Sequence, residues 1–184
     1  MSDTYRTYWE RAIPWERYLE REVTEHRDLW QGVYRTARIP EWAVREAERL
    51  EHHWRLLVLA EDWCGDASNT VPVLARLAEV APGVELRILK RDENPELMDR
   101  YLTNGSRSIP IAIALDETYE PAGRWGPRPR ELQDFVLREK RGGKRAAPEI
   151  YRDARRWYAR DHGETTLREL FEVLRAAEAR LVTS

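Results

Sequence analysis

Glu61-Asp62-Trp63-Cys64-Gly65-Asp66-Ala67 is the stretch that decides how this chain reads, and it holds the single cysteine of 184 residues. An apolar run, Leu56-Leu57-Val58-Leu59-Ala60, precedes it with the length and composition of a buried strand. A helical pattern, Ser68 to Val80, follows. The thiol therefore sits at a strand-to-helix turn, where the partial positive charge of a helix N-terminus favours a thiolate. Two carboxylates, Asp62 and Asp66, flank the sulfur and oppose that effect. The residues alone leave the sign of the balance open. Asp66 is also a candidate helix cap, its carboxylate accepting from free backbone amides.

Outward from this turn, residues 54–140 alternate strand and helix patterns. Strands are expected at 55–60, 84–89, 109–115 and 119–125, and helices at 64–80, 94–103 and 129–138. Ala81-Pro82-Gly83 and Asp116-Glu117 separate the elements. A strand–helix–strand unit of this size implies a parallel pair joined by a crossover helix. The short connection between the last two strands implies an antiparallel hairpin. The expected class is α/β, a central mixed sheet flanked by helices.

With that order in hand, the middle region resembles thioredoxin. Trp63-Cys64-Gly65 is similar to the Trp-Cys-Gly that opens the thioredoxin active site. Pro72, eight residues after Cys64, matches the proline of the active-site helix. Asp92-Glu93-Asn94-Pro95 matches an acidic-Asn-Pro stretch after the second strand. Ser108-Ile109-Pro110-Ile111 is similar to the segment whose cis proline faces the active cysteine. Gly126 matches a glycine beside the active site. The resemblance spans residues ~55–140 and rests on five motifs in order, each weak alone. It implies a thioredoxin-like fold with helical N- and C-terminal extensions, a catalytic Cys64, and substrate contacts from Trp63, Gly65, Asp66, Ile109, Pro110 and Gly126.

Three departures bear on chemistry. The second thioredoxin cysteine is Ala67 here, so a mixed disulfide on Cys64 has no internal thiolate to resolve it. The proline between the two cysteines is Asp66. The buried aspartate six residues ahead of the cysteine, which relays protons, is Val58. The losses at Ala67 and Val58 agree, since a relay to a second thiol is unnecessary without one.

Residues 1–53 read as a helical N-terminal extension rich in large aromatics. Pro14 suits a helix first turn, and Trp15, Tyr18, Leu19, Val23, His26, Leu29 and Trp30 then recur at helical spacing. Gly32 and Ile39-Pro40 punctuate, and a second helix is expected from Glu41 to about His53. Such aromatic stripes normally cover a core. Residues 141–184 read as a flexible basic linker, Arg141-Gly142-Gly143-Lys144-Arg145, followed by helices over 148–161 and 164–181. Leu167, Leu170, Phe171, Leu174 and Leu181 share one face of the last helix, which needs a partner. Arg124-Trp125-Gly126-Pro127-Arg128-Pro129-Arg130, near the presumed active edge, reads as a stiffened helix entry with solvated arginines, or as a site for the carboxylates of a small thiol.

Charged residues make up 35% of the chain, yet the net charge is −2 with both signs interleaved, which gives no nucleic-acid signal. No apolar stretch reaches the ~20 residues of a membrane span, and the first thirty residues lack a signal-peptide pattern. His52-His53 diverge on a helix, and no metal site is expected. A lone cysteine fits a reducing cytoplasm. The expected function is a monothiol thiol–disulfide oxidoreductase acting on a small thiol or protein disulfide through Cys64, with no cofactor beyond a low-molecular-weight thiol as resolving co-substrate. The alternative is a redox-inactive thioredoxin-fold binding or scaffold module. A peroxide-reducing role is weaker, because Glu61 occupies the threonine position such enzymes need. Oligomeric state is not readable.

Overall fold

The structure, a computed structural model, describes residues 2–182. Its centre is a five-stranded sheet of order β1-β3-β2-β4-β5, built from β1 (Ile13–Pro14), β2 (Trp54–Ala60), β3 (Val84–Lys90), β4 (Ile111–Leu115) and β5 (Pro121–Trp125). β2 and β3 are parallel, with Val58 beside Ile88, and the other pairs are antiparallel. Leu56 to Ala60 of β2 and every residue of β4 are buried. Continuous burial of this kind means that both faces are covered, and it explains why these segments read as unbroken apolar runs rather than alternating ones.

The crossover from β2 to β3 is α5 (Gly65–Val80), which carries Pro72 in its interior and packs on β3. The C-terminal α9 (Glu164–Val182) buries Leu167, Leu170, Phe171 and Leu174 against β5, α5 and α4 (Glu41–Glu48). Its apolar face thus finds its partner within the chain. The N-terminal aromatics join the same core as the sheet. Tyr5 and Trp9 come from α1 (Ser2–Arg11), Trp15 from α2 (Trp15–Arg17), Tyr18 from the π-helical turn behind it, and Trp30 from α3 (Arg27–Thr36). Tyr18 meets Trp30 edge-on at 5.6 Å, an arrangement that adds to plain area burial.

Several boundaries differ from expectation, each for a physical reason. Ile13 and Pro14 do not start a helix: they pair as an edge strand with Ile88 and Arg87. The aromatic stripe is not one helix, because the backbone breaks after Glu22 and His26 turns left-handed at φ 52 before α3 begins. Gly32 lies inside α3 rather than ending it, and α4 stops at Glu48. Residues 94–103 form only a short α6 (Pro95–Met98) and a 3₁₀ turn. β4 starts at Ile111, after the proline, and β5 at Pro121, after Tyr119 adopts φ 67. α7 (Arg130–Gly142) absorbs the first two residues of the expected linker and is capped by Gly143, φ 62. Arg145 then pairs with Asp153 at 2.5 Å on α8 (Ala147–Asp161), so α7 and α8 form a tight hairpin. Leu132, Val136, Ile150, Ala154 and Tyr158 give it a small core of its own. No helix among the described residues is long and apolar enough to cross a membrane.

The bonds Ile109-Pro110 and Gly126-Pro127 are both cis. Gly126 has φ +116, and a Cβ there would lie 2.2 Å from the Pro110 carbonyl oxygen. Neither the conformation nor the space admits a side chain. Gly126→Ala is therefore expected to destabilise the fold by about 3 kcal/mol in urea unfolding, and a loss under about 1 kcal/mol would show that this contact yields freely.

Candidate functional site

Cys64 is the residue that caps α5. Its backbone is extended (φ −81, ψ 115), its Sγ accepts the Ala67 N–H at 3.5 Å, and its carbonyl accepts from Ser68 at 3.0 Å. The thiol itself donates to the Ile109 carbonyl at 3.5 Å. The sulfur is thus held between a helix N-terminus and the backbone just before Pro110. The cap is Cys64 and not Asp66, contrary to the capping role considered for that carboxylate.

Asp66 is engaged elsewhere. One oxygen meets Arg128 Nη2 at 2.6 Å, and the other accepts from the Tyr158 hydroxyl at 2.9 Å. Asp66 is buried, and the Arg128 side chain is only 12% exposed. Arg128 also donates to Gln133 Oε1 at 2.7 Å, while its Nε is buried with no partner among the described residues. Of the arginines expected to be solvated, Arg130 and Arg124 are exposed; Arg128 is not.

The balance of effects on the thiol is now decided. Cys64 is 9% exposed rather than sitting on an open turn. Burial pushes its pKa up to about 11, and the Asp66 charge adds to this. The Ala67 and Asp66 amides and the Arg128 guanidinium pull the other way and do not win. At neutral pH the group is a thiol. Asp62, the other flanking acid, points away: it accepts from the Thr24 and Glu25 amides at 2.8 Å and from the Thr24 hydroxyl at 3.0 Å. Burial opposes its ionisation, but these bonds hold its pKa below the usual carboxylate range. Glu61, buried, accepts the Asp92 N–H at 2.8 Å and is shifted up by desolvation. Tyr18, buried behind this stretch, has a hydroxyl with no partner among the described residues.

A cleft of about 460 Å³ opens at the sulfur. Trp63, Cys64, Gly65 and Asp66 line one side, Ser108 and Ile109 another. Trp63 is 45% exposed, with the Arg91 guanidinium 5.0 Å from its ring centre. A Cβ on Gly65 would meet nothing within 4 Å, so this glycine leaves open space beside the thiol instead of answering a packing need. Pro110 and Gly126 are not part of the lining; they support Ile109 from behind. The remaining wall comes from residues that the local pattern did not single out: Tyr151, Ala154, Arg155 and Tyr158 of α8, Lys140 of α7, and the His26 turn. Among the described residues, no group of three His, Cys, Asp or Glu side chains is placed to hold a metal ion.

A single cysteine capping the helix that follows β2, its sulfur against the residue before a cis proline at the start of the neighbouring β4, defines a thioredoxin-fold protein with a one-thiol site. The chain belongs to the thioredoxin family: the family model Thioredoxin_9, described as Thioredoxin, matches residues 12–147. A structure of a protein of unknown function from Pseudomonas aeruginosa superposes with TM-score 0.74 at 20% identity, covering 94% of this chain and 98% of that one. An HIV epitope-scaffold superposes with TM-score 0.72 at 18% identity, covering 93% and 97%. At these identities the likeness concerns the fold. No curated protein matches the sequence significantly.

The raised thiol pKa has a consequence for stability. A thiol that ionises near 9 when unfolded and near 11 when folded contributes fully below pH 9, and that contribution is lost as pH climbs from 9 through 11. Wild-type protein should lose of the order of 2 kcal/mol more than Cys64→Ala over this window in urea titrations. The comparison with the variant is needed because Tyr18 and Tyr101 are also shifted up by burial. Identical pH profiles would mean that Cys64 is not desolvated.

Proposed function

We propose that the protein carries out monothiol thiol–disulfide exchange at Cys64 on small molecules. The observation that supports this most is the sulfur itself, held 3.5 Å from the Ile109 carbonyl and opening on a cleft. In the first step Cys64, once deprotonated, attacks one sulfur of a disulfide. The substrate S–S bond breaks, a new S–S bond forms to Sγ, and the departing thiolate takes up a proton. An external low-molecular-weight thiol then attacks the mixed disulfide, leaves carrying the substrate sulfur as a new disulfide, and returns Cys64 to the reduced state. Ala67 supplies no internal resolving thiol, so this second thiol is a co-substrate. With Val58 in place of a buried acid, proton transfer runs to solvent or substrate. The α8 wall over the cleft favours small disulfides over folded protein ones. A lone thiol of this kind suits a reducing compartment such as the cytoplasm.

The second reading is a redox-inactive binding module on the same fold. One observation favours it: a buried thiol raised to about 11 is a poor nucleophile at pH 7. Incubating the protein with hydroxyethyl disulfide and weighing it by mass spectrometry separates the two. The exchange reading expects a single adduct, absent in Cys64→Ser and removed by added thiol. A wild-type protein that stays unmodified over hours supports the binding module instead.

The same electrostatics gives a signed prediction. Asp66→Asn removes the second cause of the raised pKa and leaves Arg128 acting on the sulfur. Alkylation of Cys64 by iodoacetamide at pH 7 should then quicken, roughly severalfold or more, because the thiolate is no longer opposed by a neighbouring negative charge. An unchanged or slower rate in a folded variant would show that burial alone controls the thiol.

A further inference from the structure

The cleft that holds Cys64 carries an uneven charge. Arg91, Arg107, Arg128, Lys140 and Arg155 line it, against one carboxylate, Asp66. Much of this charge is already matched. Arg128 is spent on Asp66 at 2.6 Å, Arg91 pairs with Asp92 at 2.8 Å, and Arg107 grips Asp99 at 2.7 Å. Two cations are not matched. Among the described residues, the Lys140 ammonium meets only Tyr151, with Nζ 2.7 Å from its hydroxyl and 5.0 Å from its ring centre. The Arg155 side chain forms no hydrogen bond or ion pair among the described residues. They stand on α7 and α8, the two helices of the C-terminal hairpin, and both line the same cleft as the sulfur.

From this we infer that the Cys64 cleft recognises an acidic small thiol or disulfide, one with at least two carboxylate or equivalent anionic groups. The sulfur half of that statement rests on the exchange reading above; the anionic half stands on the lining alone. The chain as a whole is slightly acidic at −2, so the excess of positive charge is local to the cleft and not a property of the surface. Arg155 offers a planar fork suited to bidentate carboxylate binding, and Lys140 a mobile point charge. Tyr151 holds the lysine ammonium from one side and leaves its other protons for a ligand. The cleft holds about 460 Å³, which suits a small molecule and not a nucleic-acid backbone.

A charge series of disulfides tests this: glutathione disulfide (net anionic), hydroxyethyl disulfide (neutral) and cystamine (cationic), each rate divided by that with a free thiol in solution. Wild-type protein at low salt should favour glutathione disulfide over cystamine by roughly ten- to hundredfold, as expected for charge-assisted contacts. Lys140→Gln with Arg155→Gln, two exposed side chains whose change leaves the core intact, should collapse that ratio toward one, and raised salt should erode it. Equal normalised rates, or a preference untouched by the double variant, overturn the inference while leaving exchange in place. If no disulfide reacts, the exchange reading fails instead. Titration of Cys64→Ser with glutathione disulfide, followed by tryptophan fluorescence, then decides: saturable, salt-sensitive binding weakened in the double variant upholds the anion site, and its absence removes it.

Discussion

The Asp66 carboxylate, held between the Arg128 guanidinium and the Tyr158 hydroxyl, is the interaction on which the site depends. It joins three parts of the chain: the first turn of α5, the loop between β5 and α7, and the last turn of α8. Breaking a buried pair of this kind leaves an uncompensated charge, which costs about 3–5 kcal/mol, far more than making the pair gains. The α7–α8 hairpin has its own small core and packs only lightly on the sheet domain. The buried pair holds it over the cleft, together with Arg130 of α7 on Glu169 and Glu172 of α9.

The same carboxylate also acts on the sulfur two residues earlier. A helix N-terminus and two amides favour the thiolate, yet burial and Asp66 outweigh them. The site therefore joins a geometry suited to exchange with a thiol kept protonated at rest. A ligand that brings charge into the cleft alters this balance. So does any motion of α8 that readmits water. On the exchange reading, reactivity at Cys64 depends on what lies beside the sulfur.

Much of the sheet was legible because its signals are local. The run Leu56–Ala60, the Ala81-Pro82-Gly83 break and the motif order around Cys64 and Pro110 each report on a few neighbouring residues. Cys64, Trp63, Gly65, Asp66 and Ile109 do line one cleft, while Pro110 and Gly126 lie behind it. What escaped was set from far away. Trp15, Tyr18 and Trp30 keep helical spacing, but the chain breaks between them where Asp62, 38 residues on from Thr24, takes its amide. Tyr158 lies 92 residues from Asp66, in a helix whose sequence announces only amphipathicity. Arg155 and Lys140 are exposed charges on helices and carry no local signal of a site. The family match begins at residue 12, ahead of β1, so the aromatic segment before β2 is largely within the family pattern.

The two-residue strand β1 has an effect well away from the cleft. A bare β3 would present a row of backbone donors and acceptors to any passing extended chain. β1 covers part of that row, and its second residue is Pro14, which has no N–H to offer outward. Strand-by-strand growth between molecules is therefore blocked where it would otherwise begin, on this flank of the sheet. A protein whose core strands are uninterrupted apolar runs gains from this a safeguard against aggregation, obtained from a single imino acid and no added charge.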